Sequence, residues 1–297
     1  MGTPDYALTI LQELIDDSEI EVVAVYTQPD KPVGRKKVMT PPPVKVLAQE
    51  SSIALYQPDR LRDEQVVEEL LKIECDYIVV AAYGQILPKE IIDYVPCINL
   101  HASILPQYRG ASPIQQSLIN GDKKSGVTAM LMDVGLDSGD ILKIQEIDID
   151  DDMMVETLFK ELTDIASKLT IDVLKNFDKL HRIVQNEDEV TYCKKISKSD
   201  GLIEFDDAQK IYNLYRAFTP WPGIFLKSGL KLKKIALEDK SSQNTTGKII
   251  KIDSDSIVVG ADCGAVRIFR VQPPSKKEMS VIDYLNGARL NCEDILA

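Results

Sequence analysis

The feature that most restricts this chain is a change of hydrophobic period along its length. Through about the first 150 residues, short β-branched runs alternate with helix-length segments; past residue 220 short β-prone runs follow one another instead. Residues 20–26 (IEVVAVY) and 76–82 (DYIVVAA) are short β-branched runs of the kind expected of strands buried in a parallel sheet. Residues 97–100, 127–132 and 141–149 read as further strands. Leu8, Leu11, Leu14 and Ile15 share one helical face, residues 58–71 read as a helix, and residues 154–177 form a long amphipathic one. Strands alternating with helices predict an α/β domain with a largely parallel sheet. Thr3-Pro4-Asp5 reads as an N-cap, a first-turn proline and an early acid. A doubly wound sheet normally has its innermost strand ahead of such a turn, whereas only Met1 precedes Gly2-Thr3. The expectation is a sheet lacking a central member, through an internal start or a truncated chain.

The rest of the chain has a different character. Residues 181–199 are polar with few apolar anchors and read as a linker; residues 206–218 read as a helix. Short runs at 224–226, 230–237, 247–252, 257–259 and 265–271, separated by Gly, Asp and Ser, have the pattern of a small β-barrel, with one short helix at 279–285. The domains expected are therefore 1–180, a linker 181–199, and 200–297.

The 297 residues carry 35 basic against 47 acidic side chains, a net charge of −12. Such a balance argues against wholesale nucleic-acid binding. It is uneven, however: residues 200–297 hold 14 Lys/Arg and 13 Asp/Glu, so the first 199 hold 21 and 34. Within that acidic part, Lys31, Arg35, Lys36, Lys37 and Lys45 fall in a Pro-rich stretch with no acid, read as a long cationic loop. The residues alone leave open whether it is a solvated loop or a phosphate-binding arm. Five scattered cysteines without a C-x-x-C pair predict reduced thiols, with Cys75 and Cys97 in the core, and the two separated histidines predict no metal site. No apolar run is long enough to span a membrane and no signal-peptide pattern opens the chain.

The densest segment is NLHASILPQYRGASPIQ, residues 99–115. Strand alternation places Asn99 and His101 on one face, at the carboxyl end where open α/β sheets bind ligands. His101 can serve as acid, base or cationic donor near neutrality, and Asn99 can donate to a developing oxyanion. As a core histidine and a turn-capping asparagine they would need no such role. DVGLDSGD at 133–140 is either a solvated turn or a second part of the site, in which case Asp137 is a candidate base.

The stretches MGTPDYA, VYTQPDKPVGRKK (25–37), VVAAYGQILPKEII (79–92), INLHASILPQYRGASPIQ (98–115), GVTAMLMDVGLDSGDIL (126–142) and RAFTPWPG (216–223), in this order, resemble the methionyl-tRNA formyltransferase family over nearly the whole chain. The resemblance implies a Rossmann-like formyltransferase domain followed by a small OB-like barrel. It implies that Asn99, His101 and Asp137 form the catalytic trio: the amine of initiator methionyl-tRNA attacks the formyl carbon of 10-formyltetrahydrofolate, Asn99 and His101 stabilise the oxyanion, and Asp137 orients His101 or helps take the proton. Ser103, Ile104, Leu105 and Pro106 would contact the folate, and Tyr83, Gly84, Gln85, Ile86 and Leu87 would wall its pocket. Arg35, with Lys31, Lys36, Lys37 and Lys45, would enter the tRNA acceptor stem, and Lys227, Lys231, Lys233, Lys234 and Lys248 would form a basic face on the barrel. Trp221 with Phe218 resembles a packing motif and is expected in the core. Gln107-Tyr108 stands where the family commonly has Arg-Trp, and Lys36 where Gly is common. The resemblance further implies a monomeric, cytoplasmic enzyme that needs no metal.

Other enzymes of the same core remain as alternatives: an amino-sugar-nucleotide formyltransferase or a formyltetrahydrofolate hydrolase. The basic arm separates them, since neither acts on tRNA. A silent RNA-binding module would have no need of Asn99, His101 and Asp137 together. No G-x-G-x-x-G follows the first strand, which argues against a dinucleotide oxidoreductase.

Overall fold

The computed structural model describes residues 1–34 and 36–296, and divides into two units. The first comprises 1–113, 124–148 and 159–193; the second comprises 114–123, 149–158 and 194 onward.

The first unit opens with α1 (Asp5–Asp16), whose Tyr6, Ala7, Ile10, Leu11 and Leu14 are buried at helical spacing. Pro4, not Thr3, is the N-cap residue and makes no side-chain cap; the Thr3 hydroxyl donates instead to the Tyr83 carbonyl at 3.1 Å, tying the helix start to a distant loop. There follow β1 (Ala24–Tyr26), β2 (Lys31–Val33), β3 (Val38–Thr40), α2 (Pro43–Glu50), β4 (Ala54–Tyr56), α3 (Glu64–Leu70), β5 (Ile78–Val80), α4 (Lys89–Ile92), β6 (Cys97–His101) and β7 (Arg109–Gly110). α5 (Pro113–Asn120) falls almost wholly in the second unit, and the first continues with β8 (Lys124–Leu131), β9 (Ile141–Asp148), most of α6 (Val155–Asn176) and β10 (Tyr192–Cys193). The expected cationic loop from Lys31 to Lys45 is thus a two-stranded antiparallel hairpin, β2 with β3, leading into α2. The expected helix at 58–71 is confined to α3.

The sheet is parallel where β1 meets β4 and where β5 meets β6, then turns antiparallel at β8 and β9. The β1–β4 and β5–β6–β8–β9 ladders are separate. Met1 and Gly2 bridge their backbones: Gly2 N–H donates to Tyr26 O at 3.0 Å, Ala81 N–H to Met1 O at 2.9 Å, and the Met1 amine to Val79 O at 2.7 Å. Beyond these two residues lies a cavity of about 880 Å³ lined by apolar residues such as Leu11, Leu14, Val25 and Ile78 together with charged ones, among them Glu21, Asp76 and Lys175. This explains why residues 20–23 do not join the ladder and why Val23 is 42% exposed: β1 has a neighbour on one edge only along that stretch.

In the second unit, Asp207 caps α7 (Ala208–Phe218) by accepting from Lys210 N–H at 2.8 Å. The strands β11 (Ile224–Phe225), β12 (Lys231–Asp239), β13 (Ile249–Ile252), β14 (Ile257–Gly260), β15 (Ala265–Gln272) and β16 (Met279–Ser280) form one antiparallel sheet of the kind small barrels are made from, followed by α8 (Val281–Ala288). Ile235, Ile249, Ile257, Val259, Val266, Ile268 and Val271 are buried, as alternation requires. Phe218 is core as expected, but Trp221 is not: it stands 61% exposed in the turn after α7.

Candidate active site

β6 lies between β5 and β8, with Asn99 opposite Val80 and Met130, and His101 opposite Thr128. Its odd and even residues face opposite ways, so Asn99 and His101 emerge together at the strand's end. His101 is 6% exposed. Its Nε2 lies 2.9 Å from the Tyr108 carbonyl; a carbonyl only accepts, so Nε2 carries the hydrogen. Nδ1 is left facing Asp137 Oδ2 at 3.7 Å, outside hydrogen-bond range but close enough to form an ion pair once the ring is protonated.

Asp137 reaches this position from the loop between β8 and β9. Its other carboxylate oxygen accepts from Asn99 Nδ2 at 3.3 Å, and Oδ2 accepts from Gly110 N–H at 2.9 Å. The loop is shaped by Asp133, whose Oδ1 accepts from Gly135 N–H at 2.9 Å and from the Ser138 hydroxyl at 2.7 Å. Asp137 itself adopts the left-handed backbone region (φ 50°), uncommon for a residue with a side chain. The two polar segments singled out in the sequence therefore converge: Asn99, His101 and Asp137 are in mutual reach.

The turn after β6 is held from below. The Thr128 hydroxyl donates to Ser103 O at 2.7 Å and accepts from Leu105 N–H at 3.1 Å. Ser103 donates to Gln107 O at 2.6 Å. Of the proposed folate-contacting residues, Ser103 (1%) and Leu105 (2%) are buried while Ile104 and Pro106 are half-buried. In the loop after β5, Tyr83 and Leu87 belong to the core cluster and support the loop from behind. Burial raises the Tyr83 hydroxyl to about 12, and that oxygen finds no hydrogen-bond partner among the described residues. Gln85 is spent on the backbone, accepting from Leu61 N–H at 2.7 Å and donating to Pro58 O at 3.0 Å. Ile86 is 88% exposed, and a Cβ on Gly84 would meet only Gln28 Nε2 at 3.7 Å. The open part of this loop is thus Gly84 and Ile86. Because β5 and β6 are parallel neighbours, both loops leave the same sheet edge.

Residues that sequence reading treated as linker complete the site. Tyr108 N–H donates to the Thr191 hydroxyl at 2.8 Å, and Arg109 N–H to Thr191 O at 2.9 Å. β7 pairs with β10, so close at Gly110 (φ 122°) that a Cβ there would collide with the Cys193 carbonyl oxygen. Burial first, and the Asp137 charge to a lesser degree, raise the Cys193 thiol, which donates to Tyr108 O at 3.3 Å. Arg109 is buried, donating through Nε to Gln185 Oε1 at 3.0 Å and through Nη2 to Glu187 Oε1 at 2.8 Å. Gln185 in turn donates to the Asp137 and Gly139 carbonyls, both at 2.8 Å. Nothing in the polar 181–199 stretch marks Gln185 or Thr191 in the sequence, and Cys193 there reads only as one of the five reduced thiols.

Lys31, Lys36 and Lys37 are exposed on the β2–β3 hairpin; Arg35 falls outside the described residues. Lys45 is not part of that hairpin: it sits in α2 and pairs with Asp30 at 2.8 Å, which holds the Asp30 carboxyl below its ordinary range. Lys248 is likewise paired, with Glu293. Among the described residues no cluster of three His, Cys, Asp or Glu side chains is placed to hold a metal ion. No helix among them is long and apolar enough to cross a membrane.

The formyl transferase family model matches residues 1–174, and the model for the formyl transferase C-terminal domain matches 195–289. The methionyl-tRNA formyltransferase of Sulfurimonas denitrificans is 61% identical over 297 residues, covering 100% of this chain and 98% of that one. That of Nitratiruptor sp. is 54% identical, covering 99% and 97%. The chain belongs to the methionyl-tRNA formyltransferase family. Among solved structures, the sugar 3N-formyl transferase WlaRD, crystallised with dTDP and 5-N-formyl-THF, superposes with a TM-score of 0.67 at 18% identity, covering 93% of this chain and 97% of that one. The N-formyltransferase of Helicobacter canadensis, in complex with folinic acid and dTDP-3-aminofucose, gives 0.69 at 16%, covering 91% and 97%. At these identities the two share the fold.

Proposed function

We propose that this chain transfers the formyl group of 10-formyltetrahydrofolate to the α-amine of initiator methionyl-tRNA, in the cytoplasm and as a monomer. The observation that carries the reading is the convergence of Asn99, His101 and Asp137 at the end of β6. It is supported by full-length identity of 46–61% to relatives named for this activity. Residues 1–180 would carry the reacting side chains, 181–199 would join the domains while bracing the site through Gln185, Thr191 and Cys193, and 200–297 would hold the tRNA body.

The donor supplies an activated formyl carbon and a nitrogen leaving group. Gly84 and Ile86, the open residues of the β5 loop, and the turn 103–106 would hold it, with Tyr83 and Leu87 supporting that loop from behind. The Asn99 amide spends one N–H on Asp137; its second would donate to the formyl oxygen as negative charge develops there. Protonated His101, with Nε2–H on the Tyr108 carbonyl and Nδ1–H toward Asp137, would place a supported positive charge beside that oxygen. As the carbon–nitrogen bond forms, the Asp137 carboxylate would accept the proton released by the amine, and the imidazolium would return a proton to the departing nitrogen. Positioning supplies most of the rate, with proton transfer adding about 10²–10⁴-fold. Exposed Lys31, Lys36 and Lys37, with Arg35, suit phosphate contacts on the acceptor stem.

The test is formyl transfer to charged initiator methionyl-tRNA, read as N-formylmethionine, with uncharged tRNA as control. Formylation of an amino-sugar nucleotide instead, or release of formate without an acceptor, would move the chain to the alternative enzymes of this core.

A further inference from the structure

Gln185 is an anomaly of burial. Its neighbours Ile183 and Val184 are 59% and 78% exposed, yet Gln185 is 5% exposed. It lies between the two matched family stretches, 1–174 and 195–289. Its amide orientation is unambiguous: Arg109 Nε–H only donates and so requires the amide oxygen, at 3.0 Å. The NH₂ group must then face the two carbonyls, Asp137 O and Gly139 O, at 2.8 Å each. Arg109 is itself anchored by Glu187, and the residue after it, Gly110, donates its N–H to the Asp137 carboxylate at 2.9 Å. The left-handed backbone at Asp137 is therefore gripped at its carbonyl and at its side chain from two elements that Gln185 and Arg109 join.

The geometry points to Gln185 as a positioning residue for the formyl transfer: it holds the Asp137 carboxylate against His101 Nδ1, with Arg109 fixing the amide that does so. This rests on the catalytic reading of Asn99, His101 and Asp137 given above. Gln185 touches neither reacting group; it acts through the place it gives Asp137.

The test is a double-mutant cycle on the full chain with Gln185→Ala and Asp137→Asn, reading kcat, KM for each substrate, the pH profile of kcat, and thermal stability. Gln185→Glu is included because it keeps the volume and the bond to Arg109 while turning an oxygen on the two carbonyls; it carries the test if the alanine variant does not fold. The expected result is a loss of up to about 100-fold in kcat for the Gln185 variants, the size a small misplacement produces, with little change in either KM. The pH profile should shift, since the group facing the imidazole has moved. The double variant should be no slower than Asp137→Asn alone. A Gln185 variant that melts earlier yet keeps kcat and its pH profile would overturn the proposal, as would losses that simply multiply in the double variant. An Asp137→Asn enzyme with full turnover would overturn the catalytic reading itself, and the proposal with it.

Discussion

Residues 99–112 and 31–40 each leave the sheet as an excursion, and they are built in opposite ways. Around His101, side chains are buried and bonded: His101 at 6%, Ser103 at 1% and Arg109 at 2% exposure, with Thr128, Thr191, Cys193 and Gln185 holding the backbone. Every described residue of 31–40 is exposed, and the hairpin's strands pair only with each other. A group that must meet a developing charge gains from being fixed before substrate arrives. A group that must follow a charged backbone gains from freedom to adjust, at low cost to the fold. The contrast predicts that substitutions in the first region change turnover and stability together, whereas those in the second change only substrate capture.

The largest effect is expected at His101. His101→Ala should lower kcat by about 10²–10⁴-fold while leaving folate binding largely intact; titration of folate beside single-turnover kinetics would show it, and unchanged turnover would remove His101 from the chemistry. Gly110→Ala should come next. Its Cβ meets the Cys193 carbonyl and its φ of 122° is unfavourable for alanine, so a stability loss of about 3 kcal/mol is expected, together with slower turnover through the displaced Asp137 contact. A denaturation midpoint equal to the parent's would show that β7 and β10 leave room for a side chain at Gly110.

Smallest in thermodynamic terms is the hairpin: replacing Lys31, Lys36 and Lys37 with alanine should leave the melting temperature unchanged and weaken tRNA capture, with the salt dependence falling by about one unit per lost phosphate contact. A drop in melting temperature without a change in that slope would make the hairpin a structural element.

What the sequence determined alone is what short-range chemistry determines. Period two and period 3.6 placed most strands and helices, because burial of one face acts within a few residues. The same alternation put Asn99 and His101 on one face, and the Gly-rich spacing of 133–140 marked a loop able to carry Asp137. What only the tertiary structure decided is which distant groups meet. Thr3 looked like a helix cap and bonds Tyr83 instead; Lys45 looked free and pairs with Asp30; Trp221 looked like core and stands in solvent. Gln185 carried no signal at all, since a lone glutamine in a polar stretch becomes a clamp only when Arg109 and the Asp137 loop arrive beside it. Hydrogen-bond partners 48 or 76 residues apart leave no period in a sequence. They are settled by strand register and by the partners that most polar groups need once the fold buries them.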